Sequence, residues 1–271
     1  QLNIIVGTII ASFLPIGAIS HIYYADRLNQ LPLAIFGIAM GIVLLPSLSK
    51  AIKENSSAKI HTMQNRSLDF CLLISFPSAI GLYILSKPII FILFERGAFL
   101  SEDTFYTAQV LSMFALGLPA YILIKVLITC YFSREDTKTP LYISIATVLL
   151  NILLSILLIQ SMREMGIALA TSISAWFNVF LLYFILKYRN YIALDSRLMT
   201  NSMKIIIGSA IMGLVCYFLN ISMFNQMENH SLMANIMALL LIIIVCKIIY
   251  VGMIFMLKVL KISEIREYIK K

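Results

Sequence analysis

Residues 232–257 read LMANIMALLLIIIVCKIIYVGMIFML, twenty-six positions with a single charge, Lys247. A bilayer core about 30 Å thick takes about 20 apolar residues of α-helix to cross, so this stretch has the length and character of a transmembrane span. Runs of the same kind lie at approximately 3–21, 32–49, 67–86, 104–131, 141–160, 166–187 and 203–220. They are continuous rather than alternating, which favours helices over a β-barrel. Pro15, Pro46, Pro77 and Pro119 fall inside them, which lipid-embedded helices tolerate because neighbouring groups satisfy the freed carbonyls. The expected fold class is all-α, a polytopic membrane protein with eight transmembrane helices.

The whole chain agrees. Of its 271 residues 61% are hydrophobic and 13% charged, against about 45–50% and about 25% in soluble domains, and the mean hydropathy is +0.93. That excludes a soluble globular enzyme. The formal charge of +8, from 21 Lys+Arg and 13 Asp+Glu, is a topology signal. With the first helix running outward from the cytoplasm, fifteen basic residues fall inside, among them Lys50, Arg66, Arg134, Arg189, Lys204 and Lys258. Four fall outside (Arg27, Lys87, Arg96, Arg163), and Lys125 and Lys247 lie within spans. This skew is what the positive-inside rule expects, and it removes nucleic acid as a partner. The tail from Lys258 to Lys271 reads either as a cytoplasmic amphipathic helix, with Val259, Ile262, Ile265 and Ile269 near one face, or as a solvated end.

Cys71, Cys130, Cys216 and Cys246 stand singly in apolar spans, and His21, His61 and His230 are far apart; core packing explains both sets better than metal or disulfide chemistry. No phosphate loop, nucleophile elbow or HExxH spacing appears, and no cofactor is expected. Ionisable residues at membrane depth are the functional candidates, because each costs about 2.5–3.5 kcal/mol at a helix centre. Asp26 and Arg27 sit at the junction of the first two spans, within Tyr23-Tyr24-Ala25-Asp26-Arg27-Leu28. They read either as a cavity cation with its carboxylate or as a surface turn beside interfacial tyrosines. Lys125 lies close enough to its helix end to snorkel. Lys247 is deeper and would need an internal partner or a wet groove. Asp69 suits a helix start, and Gly37 with Gly41 is a small-xxx-small pair that serves close packing.

Several stretches together resemble one family, the peptidoglycan lipid II flippases (MurJ/MviN) of the multidrug/oligosaccharidyl-lipid/polysaccharide exporter superfamily. They are Ala11-Ser12-Phe13-Leu14, the Tyr23–Leu28 segment, Leu44-Leu45-Pro46-Ser47-Leu48-Ser49, Phe94-Glu95-Arg96-Gly97-Ala98-Phe99, and Tyr131 to Pro140. The resemblance implies helices seven to fourteen of a fourteen-helix transporter. The second six-helix lobe would then be 1–187, two additional helices 188–257 and the cytoplasmic tail 258–271. It also accounts for a start at Gln1 without an initiator Met or signal peptide: the chain resembles the C-terminal portion of a longer transporter.

By the same resemblance the substrate is a prenyl-pyrophosphate-linked disaccharide-pentapeptide, lipid II, moved across the bacterial inner membrane by alternating access, with the C-terminus cytoplasmic. Arg27, Asp26 and Lys125 become the substrate-binding residues. A guanidinium suits a pyrophosphate through paired donors that Lys cannot reproduce. Snorkelling stays beside the cavity role for Lys125. The implied partners are lipid II, membrane lipids and the missing N-terminal lobe. Some family members hold sodium in this lobe. The aligned positions here, Gly7, Asn151, Ser155 and Thr171, lack both carboxylates, leaving Asn151 and Thr171 as weak oxygen donors for a hard cation. Other lipid-linked oligosaccharide or drug exporters of the superfamily, and a non-transporting membrane scaffold, are the rival readings.

Overall fold

The computed structural model describes residues 2–34, 39–54, 56–224 and 231–259. Among the described residues the chain is all-helical: α1 (Leu2–Ala11), α2 (Ala18–Pro32), α3 (Ala39–Lys53), α4 (Ser57–Ile84), α5 (Ser86–Phe94), α6 (Ser101–Phe132), α7 (Lys138–Tyr188), α8 (Ser196–Phe224) and α9 (Leu232–Met256). Five of these, α4, α6, α7, α8 and α9, are long and apolar enough to cross a membrane.

At about 1.5 Å per residue the 51-residue α7 would run far beyond the bilayer core as one rod. Instead it reverses at Arg163, whose φ of 51° and ψ of −135° leave the helical region. A Cβ placed on Gly166 would stand 2.7 Å from the Leu158 carbonyl oxygen, an approach possible only where the chain doubles back. α7 is thus a helical hairpin with arms at 138–162 and 164–188, matching the two runs expected at 141–160 and 166–187.

The first expected span, 3–21, needs correction. α1 ends at Ala11, residues 12–17 form turns and a bend, and α2 starts at Ala18 after Gly17, which adopts a φ of +105°. Pro15 cannot donate to a helix ladder and Gly17 enters the left-handed region at little cost, so the break falls here and not beyond His21. Asp26 and Arg27 therefore lie inside a helix and not in a connection between helices. α4 begins ten residues before the expected 67, and the short α5, with Pro88 tolerated in its first turn, follows it.

α6 is the centre of the bundle: 67% of its most apolar stretch is buried, against 22–33% in the other long helices. Its start carries Glu102 and Asp103, favourable at a helix N-terminus, with Asp103 accepting from the Leu100 amide at 2.8 Å. One core cluster joins α6 to α3, α4 and the second arm of α7, including Leu48, Leu118, Tyr131 and Leu182. A second joins α4 and α5 to α8 and α9. A third joins Ala25 and Leu28 of α2 to Leu111 and Phe114 of α6 and to Ala168. Tyr131 ties the first cluster together by donating to the Leu182 carbonyl at 2.8 Å.

One end of the bundle collects basic side chains. There Gln64 donates to the Tyr191 carbonyl, Asn65 to that of Ala193, and Arg134 stacks over Tyr191 at 4.5 Å while Arg189 pairs with Asp136 at 2.6 Å. Gly37 and most of the 258–271 tail lie outside the described residues, as does His230, and nothing is described of the side chain at position 41.

Candidate functional site

Two adjoining cavities lie between α1, α2, α6 and the second arm of α7. The first, about 130 Å³, is walled by Gly7, Thr8, Tyr23, Asp26, Phe114 and Thr171. The second, about 290 Å³, is walled by Asp26, Asn29, Gln30, Tyr121, Lys125 and Thr171. Asp26, Phe114 and Thr171 border both. The Asp26 carboxylate accepts from Gln30 one helical turn on, the i to i+4 spacing that puts both side chains on one face.

The three expected binding residues are only partly brought together. Asp26 and Lys125 wall the same cavity. Arg27, one residue further around the helix, lines neither; it is exposed, and its guanidinium stands 4.6 Å from the centroid of the Tyr23 ring, a cation–π placement that holds the charge on the outer face of α2. Tyr23 is itself 53% exposed. Lys125 and Asp26 thus share a cavity wall, while Arg27 lies outside both cavities on the exposed side of α2. Tyr121 closes the rear, its hydroxyl 3.3 Å from Ser172, which donates to the Met113 carbonyl at 2.7 Å.

The four positions weighed for sodium divide between two places. Gly7 and Thr171 reach the first cavity. Asn151 and Ser155 are buried on the first arm of α7, where the Ser155 hydroxyl donates to Asn151 Oδ1 at 3.3 Å. The Thr171 hydroxyl donates to the Ile167 carbonyl of its own helix at 2.9 Å. Among the described residues, no group of three or more His, Cys, Asp and Glu is placed to hold a metal ion.

Sequence reasoning missed a second polar centre. His21, taken as core packing, sits between two carboxylates, with Nδ1 3.0 Å from Glu164 and Nε2 2.9 Å from Asp103. Arg163 Nε lies 3.4 Å from the other Glu164 oxygen, and its Nη1 donates to the Tyr106 hydroxyl at 2.9 Å. The Tyr106 ring stacks on both His21 and Arg163. Ionised carboxylates only accept, so both ring nitrogens of His21 act as donors when both acids are charged. The cluster pins the start of α2 to the start of α6 and to the hairpin turn of α7. Its members are separated by 82 and 143 residues, a separation no local motif reveals.

A family model described as "Lipid II flippase MurJ" matches residues 1–238. The chain is 40% identical over 220 residues to a "Probable lipid II flippase MurJ" of Rhizobium tropici, covering 81% of this chain and 41% of that protein. It is 36% identical over 259 residues to one of Rickettsia prowazekii (strain Madrid E), covering 96% and 51%. A solved structure described as "Lipid II flippase MurJ, inward closed conformation" superposes with a TM-score of 0.73 at 30% identity, over 94% of this chain and 52% of that one. The chain spans about half the length of the relatives it matches. The helical bundle, the two-cavity cleft and these matches lead to one assignment: this multi-pass membrane protein belongs to the lipid II flippase MurJ family.

Proposed function

We propose that this chain supplies one wall of the substrate passage of a lipid II flippase, acting with a further lobe of the same transporter. The observation that carries the reading is a cleft walled by Lys125 and Asp26, with the exposed Arg27 guanidinium on the next residue of α2. A pyrophosphate-linked saccharide is a dense anion, and a guanidinium grips phosphate oxygens through parallel donors. Asp26 positions the adjacent cations and competes with the anion for them, which favours release as the lobes change their facing. No bond is made or broken in this reaction.

The domain division follows the same reading: α1 to the second arm of α7 form the lobe, α8 and α9 the additional pair. Their exposed apolar flanks, such as Phe218 at 68% and Met237 at 65%, suit contact with a prenyl tail or with bulk lipid. The protein resides in the bacterial inner membrane with its basic end, and hence its C-terminus, in the cytoplasm. The test is lipid II translocation by the transporter containing this chain, with Arg27→Ala and Arg27→Lys. Loss in both, more severe for Ala, is expected; undiminished transport in both removes Arg27 from the mechanism. Labelling of single cysteines placed at Lys53 and at Lys87, applied from either side of the membrane, tests the orientation.

A further inference from the structure

A third cavity, about 330 Å³, opens where α8 begins and α9 ends, lined by Ser196, Arg197, Thr200, Asn201, Lys204 and Lys258. It is separate from the cleft around Asp26. The first five lining residues are spaced i, i+1, i+4, i+5 and i+8, one face over two turns of α8. Lys258 arrives from α9 through a helix end in which the Val259 amide bonds the Ile254 carbonyl and the Lys258 amide that of Phe255. Lys258 itself occupies the left-handed position, at a φ of 55°, where glycine is the usual occupant. Val259 behind it is 5% exposed and locked into the core cluster of α8 and α9, so the lysine's backbone is fixed at the rim.

The chemistry of this pocket is that of a phosphate site. Three cationic side chains, two hydroxyls and one amide line it, without a carboxylate among the lining residues. Asp69 lies behind the wall and accepts from the Asn201 amide at 2.6 Å, which holds that side chain in place. Among the described residues, neither Lys204 nor Lys258 has a carboxylate within ion-pair distance. The setting selects the ligand further. The cavity lies where two spanning helices end, the depth of lipid headgroups. The helix surfaces beside it are apolar and exposed, with Met199 at 64%, Met203 at 69% and Met256 at 78%. A cationic pocket above an apolar flank fits an amphiphile and not a soluble ion.

We infer that this pocket binds the headgroup phosphate of an anionic phospholipid, whose acyl chains lie along α8 and α9. The inference rests on the membrane-spanning fold and is independent of the role given to Arg27. To test it, the full chain in non-ionic detergent is exposed to mixed micelles holding equal phosphatidylglycerol and phosphatidylcholine, and retained lipid is counted by native mass spectrometry. Phosphatidylglycerol is retained in preference. That preference falls about fivefold in Lys204→Gln and in Lys258→Gln, and persists in Lys204→Arg. It is also unchanged in Lys87→Gln, an exposed lysine at the opposite end of the bundle. Equal retention of the two lipids, or a preference that survives the double Lys204→Gln, Lys258→Gln substitution, overturns the inference. Displacement of the lipid by millimolar inorganic phosphate also overturns it, by assigning the pocket to a free anion.

Discussion

His21 Nδ1 lies 3.0 Å from a carboxylate oxygen of Glu164, 143 residues away in sequence, and the two side chains are 6% and 1% exposed. A carboxylate so far removed from water is tolerable only with its partner present. His21→Ala leaves Glu164 with Arg163 alone, 3.4 Å away on a side chain 41% exposed, and is expected to destabilise the chain by about 3 kcal/mol. His21→Ala combined with Glu164→Gln recovers part of that loss, because no buried charge remains unpaired. Thermal unfolding midpoints in detergent check both; a double variant no more stable than His21→Ala contradicts the account.

Asp136, in the turn between α6 and α7, gives the pH dependence. Burial raises its carboxyl, but the Thr139 amide at 3.0 Å, the Thr139 hydroxyl and Arg189 outweigh burial and hold it below the usual carboxylate range. A depressed native pKa stabilises the fold above the unfolded value, about 3.9, and that contribution is lost as pH falls through the native value. Arg189 is 40% exposed, so solvent screening limits the effect to about 1 kcal/mol. Unfolding midpoints followed from pH 6 to pH 3 should fall more steeply in the parent chain than in Asp136→Asn.

Two glycines respond oppositely to alanine. At Gly166 the added methyl meets the Leu158 carbonyl oxygen at 2.7 Å and its carbonyl carbon at 2.9 Å. Backbone must move, at a cost of about 1–3 kcal/mol. At Gly252 nothing lies within 4 Å, and Gly252→Ala gains up to about 1 kcal/mol of helix propensity. Opposite shifts of the two midpoints verify the hairpin packing.

Lys125 separates a cavity role from snorkelling. Its ammonium is exposed yet belongs to the wall of the Asp26 cleft. Lys125→Met keeps the apolar stem and removes the charge. Lipid II translocation is expected to fall about tenfold or more in this variant, the effect of losing a charge-assisted bond of about 1.5–3 kcal/mol, with the unfolding midpoint unchanged. Full transport would leave Lys125 as an interfacial anchor only.

The apolar runs made the long helices legible, because hydropathy alone decides whether a segment can sit in lipid. Ser161 to Met165 likewise marked the gap that became the α7 reversal. The end of α1 was not legible from hydropathy: Phe13, Leu14 and Ile16 are as apolar as any span residue, and the break depends on backbone chemistry at Pro15 and Gly17. That one boundary moved Asp26 and Arg27 from a connection into a helix. Asp26 and Lys125 were singled out as rare charges near apolar segments, and they share a cleft. The His21 cluster was invisible because its three carriers look unremarkable one at a time, and only the packing of α2, α6 and α7 brings them within 3 Å.

The reversal at Arg163 leaves the α7 hairpin no slack. A connection one residue long cannot absorb sliding, so a tilt imposed on either arm passes to the other without backlash, and the pair behaves as a single stiff beam. The His21 contacts clamp that beam to α2 and α6 at the same end. The six-residue link at 12–17 is the non-helical stretch that joins α1 to this clamped end. Any tilt of that clamped unit relative to α1 would be taken up at this link.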